Sequence, residues 1–178
     1  TGTTDVDTAI DQGLPILRIP GSSLIAKVQE YYNNYAPLTD MPRVYAPTER
    51  EFAVTVKATI YPGLTPSYVP ADSVNNPLGL TVAELVEREV ARVLYKVPVG
   101  GRRLPGLTKG YMVASDIEAQ LDKELSGVTD PVSGLFFGKI PVLVDRQVQP
   151  LDPPNMNIEM EANELAKPGV VSIIWGTI

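Results

Sequence analysis

The chain has 178 residues, 44% of them hydrophobic and 20% charged, enough apolar material for one folded domain or two small ones. Its 15 basic and 21 acidic side chains leave a formal net charge of −6, a balance that opposes binding to nucleic acid and to anionic membranes. It has no Cys and no His, which excludes disulfides, thiolate or imidazole metal sites, and Ser-His-Asp or Cys-His catalysis within the chain.

Carboxylate pairs, Lys or Tyr chemistry, and a hard cation on oxygen ligands are what remain to an enzyme. No apolar run approaches the ~18 residues of a membrane span. Thr1–Asp7 is polar and acidic, unlike a secretory leader. A first residue other than Met is expected of a fragment excised from a longer protein.

In chain order, residues 1–13 read as a polar, frayed lead-in. Leu14–Ile19 reads as a short strand at an edge, because Pro15 lacks a donor. Pro20-Gly21 breaks it, and Ser22 or Ser23 caps a helix to about Asn34. Leu24, Val28, Tyr31 and Tyr35 recur at helical spacing, with Ile25 and Tyr32 beside them, so this helix is expected to pack on a sheet or a partner. Pro37–Pro42 is a connector, and Arg43–Ala46 a short strand ended by Pro47. Phe52–Tyr61 alternates Phe52, Val54, Val56, Ala58 and Ile60 with a mixed face, the pattern of an antiparallel strand covered on one side.

Pro62–Gly79 is a long Pro- and Asn-rich loop, a kind usually functional or mobile. Thr81–Glu84 is a capping box with Leu80 and Leu85 at the staple positions, and Val82, Leu85, Val86, Val90, Val93 and Leu94 continue as an apolar stripe. Val97–Met112 reads as a hairpin or looped arm with a turn signal at Gly100-Gly101. Ser115–Glu118 reads as a second capping box, starting a helix with Ile117, Leu121 and Leu125 that Gly127 ends. Ile140–Val148 is a strand with Pro141 at its start or edge. Asn157–Leu165 and Val170–Trp175 read as a closing pair joined by a turn at Lys167-Pro168-Gly169, with Gly169 at positive φ. The expected fold class is α+β: mostly antiparallel sheets with three helices packed on one side. The expected subdomains are 1–49 (β-α-β) and 50–178 (β-α-hairpin-α-β-β-β), divided near Pro47–Arg50.

The Ser23–Tyr32 helix is followed by Ala36-Pro37-Leu38-Thr39 and by Arg43-Val44-Tyr45-Ala46-Pro47, then by the strand Phe52–Tyr61. Later come Val113–Leu121 with Gly127-Val128, and Ile158–Leu165 with Gly169-Val170-Val171. In this order the stretches, across roughly residues 20–178, resemble the C-terminal half of baseplate J-like proteins, wedge subunits of contractile phage tails and related injection machines. The long loop 62–79 and the basic arm 100–109 depart from the family's pattern. The resemblance implies a structural protein without catalytic residues, metal or cofactor. Its implied partners are other wedge proteins and further copies of itself, as a dimer or ring, with no nucleic acid, membrane or small-molecule substrate. Its implied place is the virion's tail baseplate, or a cytoplasmic particle in a bacterial host.

Several residues carry rival readings. Asp145 with Asp152, and Glu159 with Glu161, are carboxylate pairs suited to Ca²⁺ or acid–base work, or simply solvated strand faces and loop ends. Arg88, Arg92, Lys96, Arg102, Arg103 and Lys109 gather positive charge in an acidic chain. They read as a docking patch for an acidic neighbour, as a nucleic-acid contact without stacking aromatics, or as an ordinary solvated face. Gly100-Gly101 and Gly106 lack the spacing of a phosphate loop and read as turns. Tyr31, Tyr32 and Tyr35 form either an exposed interface strip or packing onto the local sheet. Arg102, Arg103, Lys109 and the three tyrosines are thus the partner-docking candidates. The alternative class is a carboxylate- or metal-dependent enzyme domain, or a small-molecule-binding regulatory domain.

Overall fold

The computed structural model describes residues 5–35, 42–71, 74, 76–129, 136–138, 142–150 and 157–177. Ala36–Thr39, Pro141 and Asp152 lie outside the described residues. The chain opens with α1 (Val6–Asp11) where the sequence suggests only a lead-in. The Asp5 side chain accepts the Asp7 and Thr8 amides at 2.9 and 3.1 Å, which satisfies two of the helix's orphan donors. Residues 14–19 form no strand. Instead the Arg18 guanidinium donates to the backbone oxygens of Ala166 (2.5 Å) and Val97 (3.0 Å), taking an edge carbonyl that a strand would have needed.

α2 spans Ser22–Tyr35, as its period predicts. Arg43–Ala46 is irregular, and β1 (Thr48–Ile60) begins directly after Pro47. The boundary read near Pro47–Arg50 falls at the start of β1, and α1 packs across it on α3 (Val82–Lys96). The loop before α3 is built onto the helix. Tyr68 O and Pro66 O accept the Val82 and Ala83 amides, while Thr81 and Glu84 complete the predicted capping box. Asn76 is buried and bonds Pro70 O, Leu80 O and Leu80 N, which fixes the loop's return.

β2 (Arg102–Arg103) and β3 (Gly110–Met112) form the predicted hairpin. Gly101 has φ +81° and an added Cβ would lie 2.5 Å from the Tyr111 nitrogen, so the approach of the hairpin's two strands requires glycine. α4 (Ala114–Leu125) starts one residue before the expected box. Its N-cap is Val113, with no side-chain cap bond, so Ser115 lies inside the first turn and the second capping box does not form. Gly127 ends no left-handed cap but enters β4 (Gly127–Thr129), which pairs with β5 (Phe136–Gly138).

β6 (Val142–Pro150), β1 and β8 (Glu164–Thr177) make a three-stranded sheet in the order β6-β1-β8, and β7 (Ile158–Met160) joins the β2-β3 hairpin. The sheet is mixed: β1 runs antiparallel to β6 and parallel to β8. The closing hairpin of the sequence reading is therefore corrected. The turn lies at Glu161–Glu164, where the Glu164 amide donates to Glu161 O, and β8 passes through Lys167-Pro168-Gly169 without turning. Gly169 and Val170 are absorbed as a bulge opposite the single residue Ala53. Gly169 has no positive φ; its Cβ position lies 3.0 Å from Phe52 O, so close approach to β1, not turn geometry, selects glycine.

The mixed α and β composition stands, with four helices among the described residues and a parallel pair that the mostly antiparallel expectation lacks. α3 and α4 pack together on the sheet, and Phe52, Val54, Val56, Ala58 and Ile60 meet Leu85, Val86, Val90, Leu94, Ile117 and Leu121 in one core. Each large side chain so buried contributes about 1.5–3 kcal/mol. α2 buries no residue at all, so only two of the three expected helices cover the sheet.

Candidate functional site

α2 carries the apolar stripe that the sequence shows, but the stripe faces outward. Tyr31 is 61% and Tyr35 73% exposed, and Leu24, Val28 and Tyr32 are exposed beside them. The rings form a cluster: Tyr31 and Tyr35 centroids lie 4.8 Å apart, and Tyr31 meets Tyr32 edge-on at 6.1 Å. The helix is tethered by polar groups from another side. The Gln29 amide donates to Pro42 O at 2.9 Å and its oxygen accepts the Val44 amide at 2.8 Å, which folds residues 42–44 back along α2. Leu17, 92% exposed, precedes α2 in the sequence, and Tyr45, also exposed, follows it. Packing of the three tyrosines onto the sheet is not what the structure shows.

The basic residues separate into two groups. On α3, Arg92 is buried and forked: Nε bonds Glu89 at 2.9 Å, and its terminal nitrogens bond Asp7 at 2.7 Å and Asp11 at 2.5 Å. Lys96 reaches Asp7 at 2.7 Å, and Arg88 reaches Glu89 at 3.0 Å. Glu89 is 1% exposed and also accepts from the Gln120 amide at 2.9 Å. Burial acts to lower the Arg92 pKa, but the hydrogen bonds to Asp11 and Asp7 and the charge of Glu89 outweigh it and raise it. Burial likewise acts to raise the Asp7 pKa, and the bonds from Lys96 and Arg92 overcome it and hold the carboxyl below its ordinary value. These cations serve α1 and the α3–α4 contact.

On the β2–β3 hairpin, Arg102 pairs with Asp116, and Lys109 pairs with Glu159 and lies 4.0 Å from Glu161. These bonds raise the pKa of both cations. Arg103 is exposed and has no ion pair among the described residues. No hydrogen bond, ion pair or ring contact among the described residues joins the hairpin's cations to the α2 tyrosines.

A polar cavity of about 250 Å³ beside α1 is lined by Asp7, Asp11, Glu89, Arg92, Lys123 and Glu124. Its carboxylates converge, yet each is matched by a cation: Asp7, Asp11 and Glu89 by Arg92, and Glu124 by Lys123 at 2.8 Å. Among the described residues, no group of three or more acidic side chains is placed to hold a metal ion. Glu159 lies on β7, whereas Glu161 lies just past its end, so the two meet only through Lys109.

Sequence reasoning missed α1 and Glu89. Six residues are too few to show a period, but Glu89 was legible: with Val82 and Leu85 it falls at i, i+3 and i+7, inside the buried stripe. Gln120 beside Leu121 is the matching signal on α4. No helix among the described residues is long and apolar enough to cross a membrane. Compared with family models, with curated proteins and with solved structures, the chain matches none.

Proposed function

We propose that the chain is a structural subunit of a contractile-tail or related injection-machine baseplate wedge, of the baseplate J-like kind, acting through contacts with other wedge proteins and with its own copies. The order of its motifs supports this reading, and one structural observation carries it: α2 exposes Leu24, Val28, Tyr31, Tyr32 and Tyr35 and fully buries none of its residues. A helix with so little of its apolar face packed gains most of its stability where a partner covers that face. Tyr31, Tyr32 and Tyr35 are suited to anchor that contact, since tyrosine combines large apolar area with a polar tip. Arg103, and Arg102 and Lys109 where an acidic neighbour displaces their own carboxylates, would set orientation, because exposed pairs of this type are weak.

The enzyme alternative needs converging carboxylates that are free to act. In the cavity beside α1 they are held by Arg92 and Lys123 in ion pairs.

The test is genetic and structural. Deleting the coding sequence from a source that makes contractile particles should leave sheathed tails unassembled under the electron microscope. A Tyr31→Ser, Tyr35→Ser variant should fold as the parent does, because exposed substitutions usually shift stability by less than ~0.5 kcal/mol, yet fail to restore assembly. Complete tails in the absence of the chain would overturn the reading. Full restoration by the variant would remove α2 from it.

A further inference from the structure

Among the described residues β8 is an edge strand, and its two halves are treated differently. In its first half the outer edge is covered: the Gly100 amide donates to Glu164 O at 2.8 Å, and Arg18 donates to Ala166 O. Register extends this alternation. Glu164, Ala166 and Pro168 lie opposite Thr48, Arg50 and Phe52, and beyond the bulge Val171, Ile173 and Trp175 lie opposite Val54, Val56 and Ala58. The outward backbone role therefore passes from Glu164, Ala166 and Pro168 to Val171, Ile173 and Trp175. Pro168 fits that role, since it has no N–H to present. Among the described residues, nothing bonds the outward N–H and C=O groups of Val171, Ile173 and Trp175.

The side chains of the same half are also incompletely covered. Val171, Ile173 and Trp175 point to the helix side and pack against the core, but remain partly exposed, whereas Val54, Val56 and Ala58 beside them on β1 are fully buried. On the other face Val170 is 68% and Ile174 54% exposed. Free-standing proteins protect such edges with charge, proline or a covering segment. Here Lys167, Pro168, Arg18 and Gly100 all guard the first half, and residues 168–178 contain no charged side chain.

We propose that Val170–Gly176 of β8 pairs antiparallel with the same strand of a second copy, about a two-fold axis through Ile173, to give a continuous six-stranded sheet β6-β1-β8-β8-β1-β6. The occupant follows from the strand's self-complementarity. Centred on Ile173, the outward residues face each other as Val171 with Trp175, Ile173 with Ile173, and Trp175 with Val171, each pair exchanging both backbone hydrogen bonds. The helix-side faces coincide, and two aromatic–β-branched pairs form across the seam, a favoured combination. On the opposite face Ser172 meets Ile174 at the closely spaced, non-hydrogen-bonded positions. Two acidic chains can join along this strand because it sets no charge against its copy. The proposal deepens the assembly reading, on which it rests for its partner class.

Sedimentation equilibrium of the whole chain, over a concentration series, tests it. The parent chain should dimerise. Ser172→Glu with Ile174→Glu places like charges opposite one another twice across the seam, on the solvent face. It should raise the dissociation constant by about tenfold or more while circular dichroism stays native. Ser172→Lys with Ile174→Glu sets opposite charges at the same positions and should restore the dimer. A monomeric parent chain, a dimer untouched by the double glutamate variant, or a lysine–glutamate variant that stays monomeric would each overturn the proposal. Tail assembly and the α2 variants are read by a separate assay, so failure of one reading leaves the other measurable.

Discussion

Replacing Glu89 with Ala tests how the helical layer is held together. The carboxylate is 1% exposed and accepts from Arg88, Arg92 and Gln120. Removing one partner of a buried ion pair costs about 3–5 kcal/mol, because the remaining charge loses its compensation. Arg92 keeps Asp7 and Asp11 in the variant, so the lower end, about 3 kcal/mol, is expected. Against a domain stability of about 5–15 kcal/mol this is a large fraction. It corresponds to a fall of roughly 6–12 °C in Tm for a chain of this size. Glu89→Gln keeps the volume and one acceptor and should cost less, about 1–3 kcal/mol. Urea unfolding followed by circular dichroism reads both, and Glu89→Ala with Gln120→Ala should fall short of additivity, since the two side chains share a hydrogen bond. An alanine variant within about 0.5 kcal/mol of the parent would refute the reasoning, for it would mean that the buried network contributes nothing net.

The remaining predictions concern the two ends of the chain. Asp7 has its pKa lowered by folding, so its stabilising bonds to Arg92 and Lys96 are fully present above the unfolded value of about 4 and are lost as pH falls through the folded value. Hydrogen exchange at the Ala9 and Gln12 amides should therefore accelerate beyond the intrinsic rate below about pH 4 while the β1 amides stay protected, and Asp7→Asn should reduce that dependence, leaving the part carried by the Asp5 cap, whose carboxyl its bonds to Thr8 also hold below the ordinary value; equal protection of α1 at pH 3 and pH 7 would contradict it. Deleting Gly169–Ile178 strips the parallel partner from Val54–Ile60 and uncovers the central strand's core, so the product should be unfolded or insoluble. A soluble chain with native circular dichroism would show that β8 contributes to association alone.

What the sequence made legible follows the strength of local signals. Thr81 and Glu84 declared a capping box, and it forms with both reciprocal bonds, because the chemistry lies within four residues. Phe52–Ile60 declared a half-buried strand through strict alternation. Ser115–Glu118 carried the same letters as a capping box, but Val113 and Ala114 are buried with Met112, and this tertiary contact drew the helix start forward. Lys167-Pro168-Gly169 is a good local turn, and it was overridden by pairing along β1 over both of its flanks. A parallel partner more than a hundred residues away leaves no period or spacing to read. The candidate site divides in the same way. Helical spacing gave the α2 stripe, but whether the stripe meets a sheet or solvent depends on contacts that no local pattern encodes. The partners of Arg102 and Lys109, at Asp116 and Glu159, are likewise set by the fold of the hairpin against β7 and α4.

The described N-terminal segment is attached to the core in an unusual sense. Its hooks are polar: Asp7 and Asp11 on Arg92, and Arg18 on the carbonyls of Val97 and Ala166, while Gln29 ties α2 to residues 42–44. Its large apolar side chains, Leu17, Leu24, Tyr31, Tyr35 and Tyr45, face outward. A segment stabilised only within its own chain would do the reverse, because apolar burial is the dominant favourable term in folding and exposed ion pairs add little. Polar hooks that are partly exposed hold a segment in place at low cost and release it at low cost. Exposed aromatic and aliphatic groups supply the larger free energy once a complementary surface arrives. Under the proposed assembly role, the exposed apolar groups of α2, with Leu17 and Tyr45, would supply the contact energy between chains. That leaves the core of β1, α3, α4 and β8 to carry the stability of the single chain.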